Sequence, residues 1–131
     1  MWRRIGGAVA GIVAWVVIVS LFNLALRRLW PDYASVEKAM AFTLPMMIAR
    51  LWTSGLSSLA SGAAAAAVGR DRLKPSLTSG IVLLVFFLPW HYVLWHRFPI
   101  WYHLIFLSSL VILSVIGGRL TRIRRFIFQA A

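Results

Sequence analysis

The chain has 131 residues, 61% of them hydrophobic and only 13% charged, with a mean hydropathy of +0.83; that is too little charge to keep the surface of a soluble domain wet. The length fits one bundle in lipid and leaves no soluble domain for a separate active site. A net charge of +11 would suit phosphate, but the basic residues stand at the ends of apolar segments, so nucleic acid is set aside in favour of the bilayer and its anionic headgroups.

Met1 to Arg4 is a short basic start to an apolar run over 5–26 with no charged residue. At 1.5 Å per residue the run spans roughly 30 Å, enough to cross the hydrocarbon core. It is longer than a signal-peptide h-region and lacks a clear small-residue cleavage site, so it is read as a retained transmembrane helix. Gly7 and Gly11 form a GxxxG pair beside a stripe of Gly6, Ala10 and Ala14, the spacing that lets helix backbones approach closely.

The first connection, RRLWPDYASVEK, holds Asp32 and Glu37, with Trp30 and Tyr33 as interfacial aromatics. Pro31 and Asp32 favour a turn, and Ser35 is a candidate cap for the next helix. The second span is placed at 45–69, opening at Pro45. After the basic loop RDRLKPS, a third span runs over 77–95 with Pro89 in its later half. His96, Arg97, Phe98 and Pro99 make a hairpin tip, a fourth span covers 100–120, and the tail TRIRRFIFQAA closes the chain.

The predicted fold is therefore all-α, a single four-helix transmembrane bundle. Arg3, Arg4, Arg70, Arg72, Lys74, Arg119, Arg122, Arg124 and Arg125 fall on one side; Arg27, Arg28, Lys38 and Arg97 fall on the other. By the positive-inside rule both termini are cytoplasmic, and the aromatic hairpin tip faces outward.

Within the spans, Arg50 is the residue that needs a reason, because a charge in lipid is costly. Counting from Gly69 puts it roughly 28 Å along its helix, near the outer boundary, where it can snorkel to headgroups or pair with Asp32 or Glu37. Asn23 lies roughly 28 Å from Arg4, and His103 roughly 24 Å from Arg119. His91 and His103 flank the hairpin tip almost equally, so a polar layer of Arg50, Asn23, His91 and His103 is the sharpest constellation here. Its readings are an interfacial aromatic and histidine belt, an anion site, or a metal or haem site.

Catalytic constellations are not found. Cysteine is absent, which removes thiolate chemistry, and no HExxH-type motif occurs. Ser54, Ser58 and Gly62 form a small-xxx-small ladder suited to helix packing rather than hydrolysis, and paired carboxylates are lacking. No cofactor and no metal ligand set is assigned.

The segments RRIGGAVAGIVAW, RRLWPDY, SGLSSLASGAAAAAVGRDR and PIWYHLIFLSSLVILSVIGGRL resemble a group of uncharacterised small four-span bacterial inner-membrane proteins. These have a Gly-rich first helix, a small-residue second helix and a last helix beginning PxWYHL and ending GGRL. The resemblance implies topology and a bacterial cytoplasmic membrane, and no activity. The leading expectation is a non-enzymatic multi-pass protein that associates with itself or a membrane partner. Its contact face would be Gly7 and Gly11, or Ser54, Ser58 and Gly62, whichever the monomer leaves facing lipid. The alternative is a small oligomeric transporter or channel, for an anion, with the polar layer facing outward.

Overall fold

A computed structural model describes residues 1–71 and 73–131; Arg72, one of the basic residues used to orient the chain, lies outside them. Among the described residues there are five helices and no strand: α1 (Trp2–Leu29), α2 (Pro31–Glu37), α3 (Leu44–Gly69), α4 (Lys74–Val93) and α5 (Ile100–Ala130). Of these, α1, α4 and α5 are long and apolar enough to cross a membrane.

α1 and α5 overrun the anticipated spans, whereas α4 starts before 77 and ends at Val93, short of 95. α1 and α5 continue into their arginine-rich ends, so the tail is the last part of α5. Hydropathy falls there, but arginine is a good helix former and the hydrogen-bond ladder does not stop. Pro31 opens α2 at its first turn instead of lying in a loop, because its fixed φ suits a helix start. Ser35 consequently sits inside α2, where its Oγ donates to the Asp32 carbonyl at 2.8 Å, and caps nothing downstream. The position before α3 belongs to Thr43, followed by Leu44 and Pro45.

α3 is the hub, with α1 and α5 on opposite sides and α4 closing the bundle against all three. The reason is its small residues. A Cβ added at Gly7 of α1 would lie 2.6 Å from the Ala65 carbonyl oxygen, and one at Gly11 2.8 Å from that of Ser61. On the other side, Gly62 of α3 lies against the Ser114 backbone and Gly117 of α5 against that of Leu59, with no room for a side chain. Backbone-to-backbone contact of this kind holds helices together where lipid supplies no hydrophobic drive between them.

Hydroxyls line the same seams, and each must find a partner because burial without one is costly. Ser57 and Ser58 donate back to the carbonyls of Thr53 (2.6 Å) and Ser54 (2.9 Å). Ser76 reaches across to the Gly62 carbonyl at 2.8 Å, Ser114 to that of Ser58 at 3.2 Å, and Trp15 Nε1 donates to Ser58 Oγ at 3.1 Å. Ser54 Oγ is the one buried side-chain polar atom among the described residues without a partner. Towards the α2 end the packing changes to large rings, with Trp15, Phe98, Tyr102 and Phe106 in one apolar cluster with Leu83 and Leu110.

Both termini share the end of the bundle that carries the α3–α4 connection. Arg4 pairs with Asp71 at 3.4 Å, and Arg122 and Arg125 of α5 border the same surface cavity as Arg70 and Asp71.

Candidate functional site

The other end is closed by α2 and the turn that follows it. Arg27, in the last turn of α1, makes a two-pronged contact with Glu37: Nε to Oε2 at 2.6 Å and Nη2 to Oε1 at 2.8 Å. Arg97, from the α4–α5 tip, donates to the Ala39 carbonyl at 3.1 Å. Between these ties the chain reverses through Met40, whose φ of 53° is the left-handed conformation that non-glycine residues seldom adopt. Tyr33, Met40 and Phe42 are thereby set over the first turns of α3.

Arg50 meets them there. Its Nη1 donates to Tyr33 Oη at 2.7 Å, its Nε to Tyr102 Oη at 3.3 Å, and its guanidinium carbon lies 4.7 Å from the centre of the Phe42 ring. The anticipated pairing with Asp32 or Glu37 does not occur, because Glu37 is held by Arg27 and α2 turns Tyr33 towards Arg50. The side chain is half-buried, held in a box of neutral phenols and a phenyl face. Such neighbours hydrogen-bond a guanidinium and leave its full positive charge uncompensated.

Two adjacent cavities share Arg50, Phe87 and Phe106 in their walls. The first, about 150 Å³, is also bordered by Met40, His91, Tyr102 and His103. The second, about 190 Å³, is also bordered by Trp15, Asn23 and Thr53. Among the described residues no carboxylate lines either one. Arg50, His91 and His103 are thus brought together around one cavity, and Asn23 lies across the second from α1.

The two imidazoles touch, with Nδ1 to Nδ1 at 2.6 Å and rings crossed at 80°. His103 is fully buried; its Nε2 lies 3.3 Å from the Trp95 carbonyl oxygen and its ring stacks on Trp95 at 4.9 Å. Among the described residues no group of three or more His, Cys, Asp or Glu is placed to hold a metal ion.

The helix-packing candidates lie elsewhere. Gly7, Gly11, Ser54, Ser58 and Gly62 are buried between this chain's own helices, so the face they form is taken up within the monomer. On the neighbouring stripe of α1, Gly6 is open, with nothing within 4 Å of a Cβ, while Ala10 and Ala14 are half-buried.

Sequence reasoning missed Tyr33, Phe42, Tyr102 and Trp15 as site-forming residues. Tyr33 and Tyr102 resemble interface aromatics at any helix end, and only the fold of α2 over α3 distinguishes them. No known protein family, no curated protein and no solved structure matches this chain.

Proposed function

We propose that this chain is a four-span protein of the bacterial inner membrane, with cytoplasmic termini, that binds an anionic group in a cavity open towards the outer leaflet. α3 is the fourth span in this reading. Its hydropathy is diluted by serines, glycines and Thr53, but those are buried against neighbouring helices, whereas Ile48, Trp52, Leu56 and Val68 are exposed, so that lipid meets an apolar surface. The gathering of Arg3, Arg4, Arg70, Lys74, Arg119, Arg122, Arg124 and Arg125 at the terminal end supports the orientation.

The observation that carries the binding role is Arg50, inside the bundle, between two cavities and bonded only to phenols among the described residues. A fixed charge in a low-dielectric wall, without a counter-charge, attracts an anion strongly. The role is binding, with no catalytic step and no cofactor. It is tested on the full-length protein in phosphatidylcholine nanodiscs by calorimetric titration with butanesulfonate, a fully ionised oxyanion. The wild type binds, Arg50→Lys binds more weakly, and Arg50→Gln does not bind although it stays folded by thermal elution profile. Equal binding by folded Arg50→Gln would remove Arg50 and this function with it.

A second reading, association with another copy or a membrane partner, is favoured by one observation, the exposed Gly6 of α1, where nothing lies within 4 Å of a Cβ. Crosslinking in native membranes that captures only monomer, before and after Gly6→Leu, would dispose of it.

A further inference from the structure

The histidine pair beside Arg50 permits a count of protons. A carbonyl oxygen only accepts, so the Trp95 contact requires a hydrogen on His103 Nε2. Two ring nitrogens 2.6 Å apart hold one hydrogen between them and never two. In the neutral pair, His103 Nδ1 is therefore the bare nitrogen of the link and His91 Nδ1 carries its hydrogen. That leaves His91 Nε2 without a hydrogen, as the single position where the pair takes a further proton. His91 borders the same cavity as Arg50, and Tyr102 joins them, bonding Arg50 at 3.3 Å with its ring 6.2 Å from that of His91.

Resting on the anion-binding reading, we propose that the cavity takes an oxyanion group together with one proton, the oxyanion at Arg50 and the proton on His91 Nε2. In an empty cavity an imidazolium and the Arg50 guanidinium repel each other. An oxyanion seated between them replaces that repulsion by two attractions, so the anion and the proton each favour the other's binding, with the same coupling in both directions. The other titratable groups that face the pair are Tyr102 on α5 and, through Arg50 on α3, Tyr33 on α2; α1 contributes only the neutral Trp15, Val19 and Asn23 to the neighbouring cavity. Among the described residues no acid stands in either wall to receive the proton instead. The ligand chemistry is a carboxylate, phosphate or sulfonate, free or carried on a lipid.

The test uses the full-length protein in phosphatidylcholine nanodiscs, titrated with butanesulfonate, which does not itself titrate, so any proton taken up belongs to the protein. One proton per anion makes the affinity fall about tenfold for each unit of pH rise over the range where the empty pair is neutral and the occupied pair charged. ¹⁵N-histidine spectra of the wild type should show one bare ring nitrogen becoming protonated as butanesulfonate is added. His91→Gln should abolish proton uptake, read as protons per anion rather than as affinity. The same spectral change in phosphatidylglycerol nanodiscs without butanesulfonate assigns the site to a lipid headgroup; its appearance only with butanesulfonate assigns it to a free anion. Binding with no proton uptake, or uptake that survives in His91→Gln, overturns the coupling and leaves the anion site standing. No binding of butanesulfonate and no response to phosphatidylglycerol overturns both.

Discussion

Replacing Gly62 with alanine adds one methyl group where α3 meets the backbone of α5. A Cβ there falls 2.5 Å from the Ser114 carbonyl carbon and 2.8 Å from its Cα, about 1 Å inside ordinary carbon–carbon contact. The obstacle is main chain, which cannot swing aside as a side chain does, so the two helices must part. Overpacking of this kind costs about 1–3 kcal/mol. Parting also stretches the Ser114 to Ser58 hydrogen bond, already 3.2 Å, for about 1 kcal/mol more. Set against the gain of about 0.5–1 kcal/mol that a helical alanine has over glycine, the expected net loss is about 1–3.5 kcal/mol. Gly6→Ala is the matched control, since nothing lies within 4 Å of its Cβ and a helical alanine is favoured over glycine by about 0.5–1 kcal/mol. Reversible unfolding of the purified full-length protein in mixed micelles, titrated with a denaturing detergent, reads both. The two variants should move in opposite directions from the wild type. A Gly62→Ala protein as stable as Gly6→Ala would mean that α3 and α5 do not meet backbone to backbone.

Trp15→Phe keeps a ring in the core but removes the donor to Ser58; because Ser58 still bonds the Ser54 carbonyl, the loss in the same unfolding assay should be only about 0.5–1 kcal/mol. Ser54→Ala should raise stability by about 1 kcal/mol, since its hydroxyl is buried without a partner; a decrease would reveal a partner to that oxygen. Arg27→Ala and Glu37→Ala should each weaken the α1–α2 tie slightly, and a double-mutant cycle should show their coupling vanishing at high salt, because the Arg27 side chain is exposed.

What was legible in the sequence was whatever a single helix decides. The length of each apolar run, the small-residue spacing on α1 and α3, and the near-equal distance of His91 and His103 from the tip are all local, and depth counting places such residues without knowledge of a partner. Arg50 shows where this stops. Its depth could be counted, but its direction depends on which way α2 folds, and that is set by Arg27 taking Glu37 and by Arg97 holding the Ala39 carbonyl, contacts that hydropathy does not encode. The Ser/Gly ladder fails in the same way, because a small-residue stripe predicts close approach and leaves open whether the approaching helix belongs to the same chain.

The two features of α3 divide the bundle between two physical tasks. From Ser57 to Gly69 the helix is sealed by glycines against the backbones of α1 and α5; Ser57 and Ser58 turn their hydroxyls back onto its own carbonyls, Ser61 faces Ser79 of α4, and Ser76 of α4 donates to the Gly62 carbonyl. A polar group entering there would have to break several of those bonds and separate main chains, at a cost no single contact repays. Beyond that stretch, at Arg50, the packing passes to rings, which leave gaps between them, and the walls acquire a charge and two imidazoles. Under the proposed anion-binding role, the site at Arg50 is therefore backed by a closed floor. That combination favours holding a group over conducting it. Passage to the terminal end would require the Gly62 and Gly117 seams to open, so the variants that loosen these seams are the ones in which any anion leak should first become measurable.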